Sequence, residues 1–194
     1  MSEPAIVLAA GASRRLGQPK QLVRLGGESL LRRTVRAALA QCDPVLVVVG
    51  FQGEAMAAHL AGLAVTLVPN PEWEEGMAAS IRAGVRALPG DAEGALFLVC
   101  DQLAVDAELL ATLLAARRAR PGAVVACGYD GVRGTPSWFP ARCFAQLGEL
   151  RGDRGARALL QGEDVVVVPF PAGGADVDRP EDLPRQAGTG NDSS

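Results

Sequence analysis

The chain has 194 residues, enough for one domain at roughly 150 residues per domain and enough to bury about 70% of its unfolded surface without staples. A hydrophobic content of 48% with 21% charged residues excludes bulk disorder, and a net charge of −3 lacks the basic excess of a nucleic-acid binder. Only one histidine, His59, is present, which argues against a His-rich metal site, and Lys20 is the only lysine among 19 basic residues.

Apolar runs of strand length recur along the chain. The first, Ala5–Ala10, follows Met1-Ser2-Glu3-Pro4 with no basic region before it, and is too short for a signal peptide or a membrane span. A cytoplasmic protein is expected. Ser29–Gln41 places Leu30, Leu31, Thr34, Val35, Ala38 and Leu39 on one stripe at helical spacing. Val45–Val49 predicts a strand, Gly53–Leu60 a short helix and Val65–Val68 a strand. Met77–Leu88 has the helical spacing of Met77, Ile81, Val85 and Leu88. Ala95–Cys100 is the next strand. Asp106–Arg118 opens on a capping-type Asp and closes on basic residues, as the helix dipole favours.

Ala123–Cys127 predicts another strand, and Gly128–Pro140, rich in Gly, Pro and aromatics, an irregular excursion or hairpin. Pro140–Leu147 and Asp153–Gln161 read as short helices, Val165–Val168 as a strand, and Pro180–Gln186 as a last helical turn or two. Residues 187–194 form a polar tail, expected to be disordered. Continuous Val, Ile and Leu runs suit strands buried on both faces, and their alternation with helices predicts a doubly wound α/β fold with a mostly parallel sheet. No internal repeat or linker divides the chain. Cys42, Cys100, Cys127 and Cys143 form no C-x-x-C pair, so reduced thiols are expected rather than a zinc site. Cys100 reads as a buried small hydrophobe, Trp73 and Trp138 as packing residues, and Arg117, Arg118 and Arg120 as a solvated helix end.

Three places carry candidate chemistry. Strand Ile6-Val7-Leu8 runs into Ala9-Ala10-Gly11, then Ser13, Arg14, Arg15 and Lys20. Two readings are open: a loop whose backbone approaches phosphates closely, with Arg15 and Lys20 supplying charge, or a tight βα turn with solvated basic residues. Neither G-x-x-x-x-G-K-[ST] nor G-x-G-x-x-G is present. Where arginine serves every other positive charge, the retained Lys20 marks either a need for a compact ammonium or chance. Asp101 ends the strand Ala95–Cys100. There a carboxylate is placed either to hold Mg²⁺ or to cap a turn. Asp176 and Asp178 alternate, so one of them reaches the same metal, or caps the helix opened by Pro180, or both.

Together these residues resemble a known family. Leu8-Ala9-Ala10-Gly11 with Ser13, Arg15, Gly17 and Lys20 resembles the signature of the MobA-like nucleotidyltransferases, closest to the MocA branch of molybdenum cofactor cytidylyltransferases. Asn70-Pro71-Glu72-Trp73-Glu74-Glu75-Gly76-Met77-Ala78-Ala79-Ser80 resembles the branch's N-x-x-W-x-x-G-M-x-x-S segment, and Asp101-Gln102 its D-Q step. Arg133-Gly134-Thr135-Pro136 is similar to its R-G-x-P loop, with Thr135 where His is often found. Gly152-Asp153-Arg154-Gly155-Ala156-Arg157 and Asp176-Val177-Asp178-Arg179-Pro180-Glu181-Asp182 resemble its last two blocks.

The resemblance implies a Rossmann-like nucleotidyltransferase domain over 1–186, nucleotide-binding to about 105 and acceptor-binding beyond it. It implies Mg²⁺-dependent transfer of CMP from CTP to the terminal phosphate of molybdopterin, with Arg15, Lys20 and Asp101 catalytic and Asp101 and Asp178 on the metal. Leu8, Ala9, Ala10, Gly11, Asn70, Gly76 and Ser80 would hold the nucleotide. Arg133, Gly134, Pro136, Asp153, Arg154 and Arg157 would hold the acceptor. The implied protein partner is a molybdoenzyme of the xanthine oxidase type or its maturation chaperone, with no nucleic acid or membrane. Two other readings stay open: a related transferase using another nucleotide or phosphorylated acceptor, and a non-catalytic cofactor chaperone.

Overall fold

A computed structural model describes residues 3–13, 17–153, 155–162 and 164–174. Strand β1 (Ala5–Leu8) is followed by a small hairpin of β2 (Arg24–Leu25) and β3 (Glu28–Ser29), then helix α1 (Leu30–Leu39). Next come β4 (Val45–Val49), α2 (Gly53–His59), β5 (Thr66–Pro69), α3 (Met77–Arg86), β6 (Gly94–Val99) and α4 (Ala107–Ala119). The chain continues through β7 (Val124–Tyr129), β8 (Val132–Pro140), α5 (Phe144–Gly148) and β9 (Val165–Pro169). The predicted cap holds at Asp106, which accepts from the Leu109 N–H at 2.9 Å, and Ser29 caps α1 in the same way, accepting from the Arg32 N–H at 3.3 Å.

Seven strands form one sheet in the order β5-β4-β1-β6-β8-β7-β9. β8 runs against β6 and β7, and every other pairing is parallel. The α/β class and mostly parallel sheet expected from the sequence are therefore observed. Alternate residues of one strand enter different cores. Val7 joins Leu31, Val35, Val47, Leu98 and Leu113 on the α1, α2 and α4 side. Ile6 joins Leu46, Val48, Ile81, Phe97 and Leu147 on the α3 and α5 side. Burial on both faces is why β1, β4 and β6 read as unbroken apolar runs. Among the described residues, no helix is long and apolar enough to cross a membrane.

Residues 128–140 differ from the irregular excursion, and bear out the hairpin alternative. Asp130 and Gly131 both take positive φ, 49° and 73°, and make a two-residue turn of the kind that Asp-Gly favours. β8 then runs through the interior of the sheet despite Pro136. The pairing jumps from Ala126↔Ser137 to Cys127↔Gly134, so Thr135 and Pro136 stand in a bulge where no ladder N–H is required.

Arg117 is also unlike the expected solvated helix end. It is 7% exposed, ion-paired to Glu3 and Glu93 at 3.5 and 3.1 Å, and stacked 4.7 Å from the Trp138 ring centroid. Arg118 and Arg120 are exposed, as expected, and paired with Glu3 and Asp164.

Candidate active site

From β1 the chain crosses outward to β4 and β5 on one side, then returns to β6 on the other. The reversal opens a crevice at the carboxyl ends of β1 and β6, where an open α/β sheet binds ligands. Leu8 and Val99 are register partners at that edge. A cleft of about 540 Å³ lies there, lined by Leu8, Ala10, Gly11, Lys20, Ser80 and Asp101 among others.

The loop after β1 continues along β4 in extended form. Ala9 N–H donates to the Val48 carbonyl at 2.9 Å, and the Ala10 carbonyl accepts from Phe51 N–H at 3.0 Å. A buried amide then holds the loop. Gln21, 3% exposed, donates from Nε2 to the carbonyls of Ala9 and Gly11, at 3.0 and 2.8 Å. Ser13 Oγ accepts from Lys20 N–H at 3.1 Å and donates to Gln21 Oε1 at 3.4 Å. The single-turn helix Lys20–Leu22 is thus pinned beneath the loop, with Lys20 Nζ on Asp101 Oδ2 across the crevice. Gln21 is a functional residue that the sequence analysis does not single out. An amide between the lone lysine and the apolar pair Leu22-Val23 is the signal for its anchoring role.

Asp101 shows two different oxygens. Oδ2 meets Lys20, whereas Oδ1 is buried with no hydrogen-bond partner. An anionic oxygen in that state suits a hard divalent cation. Among the described residues no three His, Cys, Asp or Glu side chains gather into a metal cage. The donor set therefore fits a hard divalent cation held by one or two carboxylates and completed by oxygens from outside the protein. The preceding Cys100 is 3% exposed, as expected, and burial beside the Asp101 carboxylate pushes its thiol pKa up. A buried thiol held protonated is a poor nucleophile.

The far wall is the segment joining β5 to α3. Asn70, 3% exposed, accepts from Glu72 N–H at 3.1 Å and donates to Ser80 Oγ at 3.1 Å, so it stands behind the cleft and positions Ser80. Gly76 adopts φ 116° at the start of α3, and a Cβ there would lie 2.9 Å from the Gly152 backbone. This glycine lets two loops close on each other. Arg82 clamps them: Nη1 donates to Glu75 Oε1 and the Leu150 carbonyl, each at 2.8 Å, and Nη2 to Glu72 at 3.1 Å. The Arg82 guanidinium holds the Glu75 carboxyl down to about 2.

A second pocket of about 240 Å³ adjoins the cleft and shares Leu8, Met77 and Val99 with it. Arg133, Gly134, Thr135 and Arg157 line it. Arg133 Nη1 is tied to the carbonyls of Leu160 and Gly162, both at 3.0 Å. Gln102, 4% exposed, accepts from Thr135 Oγ1 at 3.1 Å and donates to the Gly173 carbonyl at 3.1 Å. Pro136 is buried within β8 and shapes the bulge rather than the pocket lining.

Of the residues singled out from sequence, Leu8, Ala10, Gly11, Lys20, Gly76, Ser80 and Asp101 meet in the cleft, with Ala9 buried beneath. Asp153, expected with the acceptor residues, lines the cleft. Arg15, Arg154, Asp176 and Asp178 lie outside the described residues, as does the expected helix Pro180–Gln186.

Residues 5–167 match the family model described as the MobA-like NTP transferase domain. A 92-residue stretch is 45% identical to the bifunctional IPC transferase and DIPP synthase of Rubrobacter xylanophilus, covering 44% of this chain but only 21% of that protein. The purine catabolism protein PucB of Bacillus subtilis is 31% identical, with 80% of this chain and 79% of that one aligned. The molybdenum cofactor cytidylyltransferase of Escherichia coli is 30% identical over 43% of this chain and 44% of its own. Among solved structures, Rv0371c from Mycobacterium tuberculosis superposes with a TM-score of 0.81 at 29% identity, over 94% of this chain and 95% of that one. A manganese complex of Rv0371c has a TM-score of 0.77 at 25% identity, over 94% and 96%.

Proposed function

The chain belongs to the MobA-like NTP transferase family, and on that premise we propose that it transfers CMP from CTP to the terminal phosphate of molybdopterin. The observation that carries this reading is the Lys20–Asp101 pair at the switch point, in a cleft that opens into a second pocket through a shared wall. Such a site takes a triphosphate on one side and a phosphorylated acceptor on the other.

An oxygen of the acceptor's phosphate attacks the α-phosphorus as the bond to pyrophosphate breaks. A phosphate monoester is largely ionised at neutral pH, with a second pKa of about 6. No general base is needed, which agrees with a cleft that contains no histidine. The protein's task is in-line positioning and charge neutralisation. Lys20 and Arg15 neutralise the β- and γ-phosphates. The backbone at Leu8, Ala10 and Gly11 holds the nucleoside, with Gly76 and Ser80 toward base and ribose. Asp101, with Asp178, would hold Mg²⁺, which when bound supplies further charge neutralisation at the phosphates. Arg157 and Arg154 meet the acceptor, and Arg133 braces its pocket.

A second reading has its own support. The alignment with the purine catabolism protein runs nearly twice as far along the chain as that with the cytidylyltransferase, which favours a related transferase with another acceptor. Pyrophosphate release measured for each of the four NTPs, with and without molybdopterin, separates the two. Turnover is expected with CTP plus molybdopterin. Its absence there, with release in another pairing, moves the assignment to that pair.

A further inference from the structure

Away from the cleft, positive charge gathers at one concave place. The β2–β3 hairpin, α1 and the end of α2 enclose a concavity of about 780 Å³ that shares no lining residue with the cleft. Arg24, Arg32 and Arg36 line it together with one carboxylate, Glu28. Three guanidiniums against one carboxylate leave a local positive excess in a chain of net charge −3. Arg82 and Arg117, by contrast, each meet two carboxylates. Each guanidinium of the concavity is steadied through Nη1. Arg32 Nη1 donates to the carbonyls of His59 and Ala61 at 2.9 and 3.0 Å, Arg24 Nη1 to the Gly27 carbonyl at 3.3 Å, and Arg36 Nη1 to Glu28 Oε1 at 3.2 Å. Among the described residues none of the three Nη2 groups makes a hydrogen bond. The Gly26-Gly27 turn, at φ 59° and 84°, adds no side chain to the lining.

We propose that this concavity is a second anion site, binding a small, multiply charged phosphate of the pyrophosphate class. A guanidinium offers a planar fork of donors that matches phosphate oxygens, and three of them hold unused donors here. A concave wall of one sign also concentrates anions near it. Ala58 is the only apolar side chain of the lining, so the site recognises charge rather than an organic body. Pyrophosphate is what the transfer proposed above releases, but the site rests on these side chains and not on the identity of the acceptor.

Titration calorimetry of the whole chain with inorganic pyrophosphate tests the site. Lys20→Ala removes the lysine of the cleft, and pyrophosphate binding is expected to persist in that protein. Adding Arg24→Gln and Arg36→Gln is expected to weaken it at least about tenfold, because two charge-assisted contacts are lost. Arg32 is kept, since it ties α1 to the end of α2. With Lys20 intact, the same two changes should leave CTP affinity within about twofold, as expected for separate sites. Glu28→Gln in the Lys20→Ala protein removes the competing carboxylate and is expected to tighten pyrophosphate about threefold. A purely structural ion pair between Arg36 and Glu28 would give no such gain. Absence of pyrophosphate binding in the Lys20→Ala protein, or binding that Arg24→Gln with Arg36→Gln leaves unchanged, overturns the site. Cytidine 5′-diphosphate is expected to bind the Lys20→Ala protein no tighter than pyrophosphate; tighter binding that the two arginine changes abolish overturns recognition by charge alone. If the multiply substituted protein fails to fold, Glu28→Gln still decides, and unchanged or weaker binding there overturns the proposal. Lack of turnover with CTP and molybdopterin would overturn the proposed reaction without altering these affinities.

Discussion

Replacing Gln21 by Leu removes the amide that ties the first loop to the sheet. Three hydrogen bonds disappear: the two donated to the carbonyls of Ala9 and Gly11, and a longer one accepted from the Ser13 hydroxyl, which is part-exposed and rehydrates. Ala9 is fully buried, so its carbonyl loses its partner where water does not replace it, at about 1–3 kcal/mol. Gly11 is exposed and its carbonyl rehydrates, at about 1 kcal/mol or less. The sum is about 3 kcal/mol. For a chain of this size that lowers Tm by about 6–12 °C. The catalytic effect is expected to exceed the stability effect, because Lys20 is the next residue and its own N–H rests on Ser13, which Gln21 also holds. A displacement of about 1 Å at such a group costs about 100-fold in rate. Thermal unfolding and pyrophosphate release in the productive nucleotide–acceptor pair measure the two effects separately. Gln21→Glu adds a sign. Its carboxylate would face two carbonyls, so its folded pKa is raised. The protein is then least perturbed below the unfolded value of about 4.3 and loses stability as pH rises above it. Gln21→Leu with kcat/KM within threefold of wild type and Tm within about 2 °C would refute the anchoring role.

Lys20→Arg is expected to fold normally yet lose about 100-fold or more in kcat, because a planar guanidinium replaces a compact ammonium among phosphate oxygens; near-normal turnover would return Lys20 to chance. Asp101→Asn should abolish the divalent-metal dependence of nucleotide binding, read by Mn²⁺ titration in the presence of CTP, and retained metal dependence would place the cation elsewhere. Glu75→Gln weakens the Arg82 clamp. The Glu75 carboxyl is held down to about 2, so its stabilisation is complete above the ordinary value of about 4.3 and fades as pH falls toward 2. The denaturation gap between wild type and Glu75→Gln should therefore close over that interval; a gap independent of pH would contradict it. Arg117→Met strips a buried cation from Glu3 and Glu93 and should cost about 3 kcal/mol, the low end for a broken buried pair because Arg118 still pairs with Glu3, while leaving kcat/KM within twofold. A large kinetic effect would mean that Arg117 reaches the site.

Local physics made much of this protein legible in advance. β1, β4 and β6 are buried on both faces, so their apolar runs are continuous and identify a parallel sheet without any tertiary knowledge. Ser29 and Asp106 sit beside the helices they cap, so both helix starts were readable. The small-residue loop after β1 and the Asp after β6 follow their strands directly, and the switch point then brings them to one crevice.

Other features depend on partners far away along the chain. The Lys20–Asp101 pair joins residues 81 apart, and Gln102 reaches Gly173 over 71. Arg117 looks solvated beside Arg118 and Arg120 until Glu3, just ahead of β1, and Trp138 of β8 arrive from far along the chain. β8 contradicts its own composition: a strand with Pro136 inside the sheet becomes possible only because the bulge against β7 removes the need for its N–H. Periodicity and capping are properties of neighbouring residues, and they determined the architecture. Pairing, burial of charge and the second pocket are set by which surfaces the folded chain brings together, and only the tertiary structure decided them.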